Sequence, residues 1–448
     1  MSKYFGTDGI RGKAGDEIIN KAMALRLGSA MAGYSRATGK KPKIIIGRDT
    51  RESGEALSRA AAKGIESAGG EAVLAGVIPT PALAFLTKSG DFSLGLEISA
   101  SHNDASYNGF KLFTGEGDKL NSGQEKKIEE LTDRPETGMA AEKEIELAEA
   151  KNMDLAAEKY KSGLLKALPE NFNANGLKIV LDCANGANYK IAPEIFKKIG
   201  AEVIVINNQP DGKNINENCG SQYPENLRRE VIKNKASLGL AFDGDGDRVI
   251  AVSEKGGVLN GDHLLYIFAR MLKEKGELGK IVVSTSMSNL GFVKALAKLG
   301  IKHSYTNVGD REVYEEMVKI GAMLGGEESG HIIFRSFLSS GDGILTGLKL
   351  LEAMKYFKEP LSALAEEIAF FPKLLLNVPV KRKPELREVP EIAKVIKEAE
   401  ARFGAEGRVV VRYSGTENLC RVMVEGREEG AVRVWADRIA RVVEITLK

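Results

Sequence analysis

Several shortages in this sequence narrow what it can be. Cysteine is scarce: Cys183, Cys219 and Cys420 are odd in number and far apart, which excludes a disulfide framework and a paired-thiol metal site. The four histidines, His102, His263, His303 and His331, are scattered, which argues against a histidine-built zinc centre. Neither sign of charge dominates: 64 Lys+Arg against 62 Asp+Glu leave +2, with no single-sign tail and no general pull toward nucleic acid. No apolar run approaches the ~18 residues of a membrane-spanning helix. The opening MSKYFGTDGIRG lacks the apolar stretch of a secretory signal. No segment is of low complexity. These shortages predict a reduced, cytoplasmic protein with neither nucleic acid nor membrane as a partner.

What is present is a globular composition. Of 448 residues, 43% are hydrophobic and 28% charged, enough to build several cores. One pattern recurs three times: an apolar strand, a helix ending in Gly, then another strand. The copies are KIIIG at 43–47 with a helix over 54–67 and EAVLAG; LKIVLDC at 177–183 with a helix over 189–198 and AEVIVI; and KIVVSTS at 280–286 with a helix over 290–299 and IKHSYT. Continuous apolar strands alternating with helices predict βαβ units with mostly parallel sheets. The glycine after each helix serves as a left-handed cap. A charged stretch over 139–167 reads as a linking helix. Beyond Phe370-Phe371-Pro372 the pattern changes to a smaller α+β unit, with helices over 390–403 and 429–446. The fold class is therefore α/β, with three α/β domains of similar architecture and a C-terminal α+β domain. Their bounds are read as 1–150, 151–253, 254–368 and 369–448.

Four loops carry chemistry. In LGLAFDGDGDRVIAV, Asp243, Asp245 and Asp247 recur at every second position after a buried strand. In an extended segment that spacing aims three carboxylates one way. Such carboxylates repel unless a cation neutralises them, and oxygen-only donors suit a hard cation, Mg²⁺ or Ca²⁺. Glu254 stands twelfth from Asp243, as in a helix-flanked calcium loop. Arg248 at the sixth place, where that loop needs Gly, and the strand that follows both exclude it. In GLEISASHNDASYNGFKLF, Ser101 follows a strand, with His102, Asn103 and Lys111 nearby. The nucleophile-elbow pattern is absent, so a hydrolase triad is not predicted. A phosphorylated Ser101 would instead supply the oxygen that completes a three-carboxylate metal site, and Lys111 is a candidate proton shuttle or phosphate contact. GGEESGHIIF offers Glu327, Ser329 and His331 for sugar hydroxyls. RYSGTENLCR gathers Arg412, Ser414, Gly415, Thr416 and Arg421 into an anion nest. A compact polar loop with Asp8 and Arg11, and GRDTR with Arg48 and Arg51, are weaker signals. The two latter arginines are read as structural ion-pair partners.

These motifs stand in one order, SASHN, DGDGDR, GGEESGH, RYSGTEN, and over nearly the whole chain the sequence resembles the α-D-phosphohexomutase superfamily. The resemblance implies four domains around a central cleft, a phosphoryl group carried on Ser101, and Mg²⁺ (one per subunit) held by Asp243, Asp245, Asp247 and that phosphoserine. Within the superfamily it is most similar to the branch acting on glucosamine phosphates, through KYFGTDGIRG, VGDREV and above all NINENCGSQYPE at 214–225. The implied reaction moves a phosphoryl group between the 6- and 1-positions of glucosamine through a sugar 1,6-bisphosphate, feeding cell-wall precursor synthesis. Glucose or mannose phosphates are the alternative substrates, and a non-catalytic sugar-phosphate sensor is the alternative of another class. The partner is a hexosamine phosphate, and a homodimer is expected by resemblance alone. For proton transfer the candidates are Lys111, His331, His102 and Arg11, with Arg11 or Arg248 countering charge. Departures from the family pattern are Asp104, Tyr413 and Asn418 in place of prolines, Tyr107, and Glu97 where an apolar residue is usual.

Overall fold

The apolar strands become the centres of the sheets in the computed structural model, which describes residues 3–6, 8–134, 153–414 and 418–448. The opening stretch contains β1 (Ile10–Lys13), α1 (Lys21–Ala37), β2 (Lys43–Arg48), α2 (Glu52–Ser67), β3 (Glu71–Val77), α3 (Thr80–Ser89), β4 (Leu94–Ile98), β5 (Tyr107–Thr114) and α4 (Ser122–Thr132). Its sheet runs β1-β5-β4-β2-β3. Ile44, Ile46, Leu94 and Leu96 face one side and bury against Met23, Leu27, Leu57 and Ala61 of α1 and α2. Those two helices touch at glycines. A side chain on Gly28 would meet the Ala61 carbonyl oxygen at 2.0 Å, and one on Gly64 the Leu25 oxygen at 1.9 Å.

After α5 (Met153–Lys166) the pattern repeats with β6 (Lys178–Asp182), α6 (Ile191–Lys198), β7 (Glu202–Ile206), α7 (Glu225–Asn234), β8 (Leu238–Phe242), β9 (Val249–Ser253) and β10 (Val258–Leu259). The sheet order is β10-β9-β8-β6-β7. The third copy has α8 (Gly261–Glu274), β11 (Ile281–Thr285), α9 (Leu290–Lys298), β12 (Lys302–Thr306), α10 (Asp310–Ile320), β13 (Leu324–Gly326), β14 (Ile332–Phe334), α11 (Gly343–Phe357) and α12 (Leu361–Glu366), with strands ordered β12-β11-β13-β14. Each sheet therefore has the same three-strand parallel centre, β4-β2-β3, β8-β6-β7 and β13-β11-β12. Each centre is extended by antiparallel strands. The parallel centres stand as expected, and the sheets are mixed because the loops over 99–106, 243–248 and 327–331 fold the chain back beside them.

The glycine caps stand as read, with Gly69, Gly200 and Gly300 at φ +73°, +90° and +67°. The second helix of the pattern is shorter than predicted, because Ala187–Tyr189 forms a 3₁₀ turn before α6 begins at Ile191. Positions 139–152 of the predicted linking helix lie outside the described residues; the remainder is α5.

The C-terminal stretch has β15 (Lys373–Pro379), α13 (Pro390–Phe403), β16 (Gly407–Tyr413), β17 (Leu419–Gly426) and α14 (Glu429–Leu447). Its antiparallel sheet, β15-β17-β16, buries Val422 and Val424 against Ile392, Val395, Ile439 and Val443. Two compact units result, Met1–Met287 with Ile301–Glu366, and Ser288–Gly300 with Glu367–Lys448. Helix α9 joins the second unit for local reasons. Asn289 Nδ2 donates to the Phe371 carbonyl at 2.9 Å and Asn289 Oδ1 accepts from the Phe371 amide at 3.0 Å, while the Leu290 amide donates to the buried Glu425 at 2.8 Å.

Candidate active site

Ser101 sits in the loop between β4 and β5, fully buried, with left-handed backbone at φ +50°. That conformation is uncommon for a non-glycine residue and persists only where surroundings enforce it. Its amide donates to Ser99 Oγ at 2.9 Å, and Ser99 Oγ donates to Asp49 Oδ2 at 2.5 Å. Its own hydroxyl donates to Asp243 Oδ2 at 2.6 Å. The serine and carboxylate loops, 142 positions apart, therefore meet at one hydrogen bond.

Asp243, Asp245 and Asp247 are all buried, and one oxygen from each lies within 4.8 Å of the others. They converge by a turn and not by extended alternation, which corrects the sequence reading. Gly246 takes φ +74°, and its amide donates back to the Asp243 carbonyl at 3.1 Å. Burial, then the charges of Asp247 and Asp245, push the Asp243 carboxyl well above its usual range. Oδ1 of Asp245 and Oδ1 of Asp247 are buried without a hydrogen-bond partner. Unpartnered buried oxygens on two of three clustered carboxylates fit a divalent cation such as Mg²⁺. Glu254 belongs elsewhere: it accepts from the Ser362 amide at 3.2 Å, near the start of α12.

The surrounding groups are mostly committed. Lys111 Nζ donates to Asp245 Oδ2 at 2.7 Å and Asp247 Oδ2 at 3.2 Å, and lies 3.4 Å from Asp8. Burial opposes its charge, but Asp245, Asp247 and Asp8 outweigh burial and raise its pKa well above normal, so it is an ammonium. Burial likewise lowers His331, yet the adjacent Asp247 carboxylate, with Asp310, prevails and raises it. Its Nε2 accepts from the Gly341 amide at 2.8 Å, and its Nδ1 is 3.7 Å from Asp247. Arg11 pairs with Asp8. Arg248 donates its amide to Asp243 Oδ1 at 3.1 Å and its Nη1 to His102 Nδ1 at 3.2 Å. His102 Nδ1 is also 3.4 Å from Ser101 Oγ. Burial, then Arg248 and Arg11, lower His102 to about 4, so the ring is neutral at pH 7.

Glu327 is buried and accepts from the Gly309 amide at 3.1 Å, while its own amide donates to the His331 carbonyl at 3.0 Å. The Ser329 hydroxyl is buried without a hydrogen-bond partner. In the second unit, Arg412 of β16 and Arg421 of β17 are direct cross-strand partners. Like charges placed opposite repel, and an anion between them would relieve that. The Ser414 amide donates to the Leu419 carbonyl at 2.8 Å. Gly415 and Thr416 lie outside the described residues.

Sequence reasoning missed several residues that the fold recruits. Thr80, opening α3, bonds Asp245 through both its hydroxyl and its amide. Lys119 bridges Asp8 and Asp310. Arg51, fully buried, donates Nε to Asp49 at 2.8 Å and its Nη atoms to carbonyls of the serine loop. Glu97 is buried with both oxygens unpartnered, in the space that a side chain on Gly47 would fill. Glu97, Asp8 and Arg51 did carry a signal in the sequence, the first as a departure from pattern and the others in polar loops; Thr80 and Lys119 carried none.

Four models of the phosphoglucomutase/phosphomannomutase family match in order: α/β/α domain I over residues 2–139, domain II over 158–257, domain III over 260–370 and the C-terminal domain over 375–442. The phosphoglucosamine mutase of Syntrophus aciditrophicus is 48% identical over 99% of both chains. That of Geobacillus thermodenitrificans is 46% identical over 99% of this chain and 98% of its own. Among solved structures, a phosphoglucomutase/phosphomannomutase family protein of Burkholderia thailandensis superposes with TM-score 0.78 at 24% identity, covering 98% of this chain and 97% of its own. Aspergillus fumigatus N-acetylphosphoglucosamine mutase, solved with GlcNAc-6P and magnesium, gives 0.69 at 17% identity over 100% and 96%. No described helix is long and apolar enough to cross a membrane. With its domains, motifs and relatives all in agreement, the chain belongs to the phosphoglucomutase/phosphomannomutase family of the α-D-phosphohexomutases.

Proposed function

We propose that this chain interconverts glucosamine 6-phosphate and glucosamine 1-phosphate, with Ser101 carrying the phosphoryl group between turnovers. The observation that carries the reading is the 2.6 Å contact of Ser101 Oγ with Asp243 inside a buried three-carboxylate cluster. The chain around it is 48% identical over 99% of its length to a phosphoglucosamine mutase.

In the forward direction the C1 hydroxyl oxygen of the sugar attacks phosphorus on phospho-Ser101. A P–O bond to the sugar forms, the P–Oγ bond breaks, and a proton passes from the hydroxyl to Oγ. The product, the 1,6-bisphosphate, turns over in place. Oγ then attacks the other phosphorus, the P–O bond at C6 breaks, the proton passes from Oγ to the C6 oxygen, and the phosphoserine is regenerated. Mg²⁺, held by Asp243, Asp245, Asp247 and the phosphoserine, would supply charge neutralisation at the transferring group. Lys111 adds a fixed ammonium beside the same carboxylates. His331 is occupied by Gly341 and Asp247 and acts by holding that aspartate. Arg11 is occupied by Asp8.

Of the four proton-transfer candidates, His102 is the one that touches Oγ, its Nδ1 3.4 Å away. Its Nδ1 faces Arg248, a donor only, so that nitrogen carries a lone pair. A loose phosphoryl-transfer transition state asks little of its base, so a ring titrating near 4 serves. Glu327 and Ser329 grip sugar hydroxyls, and Arg412, Ser414, Gly415, Thr416 and Arg421 hold the phosphate that is not moving. The three free, buried cysteines support a cytoplasmic setting. A homodimer with one Mg²⁺ per subunit completes the reading; its support is the resemblance and the single described carboxylate cluster.

The test is a mutase assay with Mg²⁺ and a trace of bisphosphate on glucosamine, glucose and mannose 6-phosphates. Preference for the amino sugar, abolished in Ser101→Ala, is expected. Equal or better rates on glucose or mannose phosphates would transfer the chain to general hexose-phosphate metabolism, and an active Ser101→Ala would overturn the carrier role.

A further inference from the structure

The segment NINENCGSQYPE, which in sequence pointed most strongly to the amino-sugar branch, touches the serine loop. Asn216 is buried, with left-handed backbone at φ +59°, a conformation asparagine tolerates. Its amide donates to the Ala184 carbonyl at 2.9 Å, which fixes it to the end of β6. Its Nδ2 donates to the Ser101 carbonyl at 2.9 Å and to the Asn103 carbonyl at 2.9 Å. Those same two carbonyls accept from Arg51 Nη2, at 3.1 and 2.8 Å. One amide nitrogen and one guanidinium nitrogen thus each bridge the pair of oxygens, from opposite parts of the chain.

The carboxylate loop closes the arrangement. A side chain on Gly244 would lie 2.6 Å from the Ser101 carbonyl oxygen and 2.8 Å from Asn216 Nδ2. Asn216 is therefore seated where the serine loop and the carboxylate loop adjoin at Gly244. The same region abuts α2, whose first amide, from Glu52, donates to the Gly212 carbonyl at 3.0 Å.

We propose that Asn216 is a positioning residue: with Arg51 it fixes the Ser101 backbone against the carboxylate loop, so that this segment governs phosphoryl transfer and does not read the sugar. The proposal rests on the mutase reading above. The chemistry requires an amide. Only a nitrogen with two protons serves two carbonyls at once, and a carboxylate there would face two carbonyl oxygens. A displacement of about 1 Å at a reacting centre costs up to about 100-fold in rate.

The experiment compares the wild-type chain with Asn216→Asp, Asn216→Ala and Asn216→Gln on glucosamine and glucose 6-phosphates, with thermal melts and Mg²⁺ titration calorimetry on each. The expected result is a fall in kcat of roughly ten- to hundred-fold, steepest for Asn216→Asp, partly restored by Asn216→Gln. KM, the ratio of kcat/KM between the two sugars and the Mg²⁺ affinity would stay unchanged. A changed sugar ratio with kcat retained would assign the segment to substrate choice and overturn the proposal, as would kcat within two-fold of wild type in all three variants. Should Asn216→Asp fail to fold, the folded Asn216→Gln and Asn216→Ala still decide. A wild-type chain inactive on every hexose phosphate would sink the mutase reading and this inference together, whereas active wild type with indifferent variants sinks the inference alone.

Discussion

Asp245 is shared by two donors of the site. It accepts from Lys111 at 2.7 Å and from the Thr80 hydroxyl on Oδ2, leaving Oδ1 unpartnered. Asp245→Asn keeps an acceptor for both donors and removes the charge that a cation would meet. We expect the Mg²⁺ concentration for half-maximal activity to rise roughly ten-fold or more, measured by titrating metal into chelator-treated enzyme. An unchanged metal profile would remove Asp245 from the ligand set. Away from the site, His263 offers a titration with a defined sign. It closes the capping box of α8 with Asn260, and burial lowers it from 6.5 to about 4. Below pH 6.5 the unfolded chain takes up a proton that the folded chain refuses. The associated stability is present above pH 6.5 and is lost as pH falls toward 4. His263→Gln retains a side chain suited to the N3 position and should flatten that acid limb, read from urea midpoints at pH 7 and pH 5. Identical slopes in both proteins would refute the assignment.

At the scale of elements, the contact of α1 with α2 depends on two missing side chains. Gly64→Ala would drive a methyl into the Leu25 carbonyl, which neither helix yields cheaply. We expect a loss of about 1–3 kcal/mol, visible as a lower melting temperature with helix content kept; a variant as stable as wild type would mean that the helices slide apart freely. The repeated strand–helix–strand pattern was legible because continuous apolar strands and terminal glycines leave local marks. The serine and carboxylate loops were legible for the same reason, each being a short motif at the end of a strand. Their convergence was not. Spacing alone aimed Asp243, Asp245 and Asp247 along an extended segment, whereas the turn at Gly246 brings them together. Arg51 read as a structural ion-pair partner, and it does pair with Asp49. Its bonds to the serine loop cross 50 or more positions, and no local pattern encodes them.

At the scale of the whole chain, one ionic network draws on distant stretches of sequence. Lys119 pairs with Asp8 and Asp310; His331 lies 3.6 Å from Asp310 and 3.7 Å from Asp247; Lys111 joins Asp247 to Asp245. Burial raises Asp8, but Lys111, Lys119 and Arg11 overcome it and hold the carboxyl well below its ordinary range. Removing Lys119 takes from Asp310 its lysine partner, while Asp8 keeps Arg11 and Lys111. Lys119→Gln should cost about 3 kcal/mol, measured by urea unfolding, and adding Asp310→Asn should recover part of the loss. Additive losses in the double variant would show that the two side chains do not act as a pair.

The facing arginines of β16 and β17 carry a consequence for the bench. Arg412 and Arg421 are cross-strand partners, a like-charge placement that a small oxyanion would ease. On the proposed reading of this loop as a phosphate grip, phosphate or sulfate in an assay buffer would compete with the substrate, and melts run in either would report a C-terminal sheet steadier than in plain buffer.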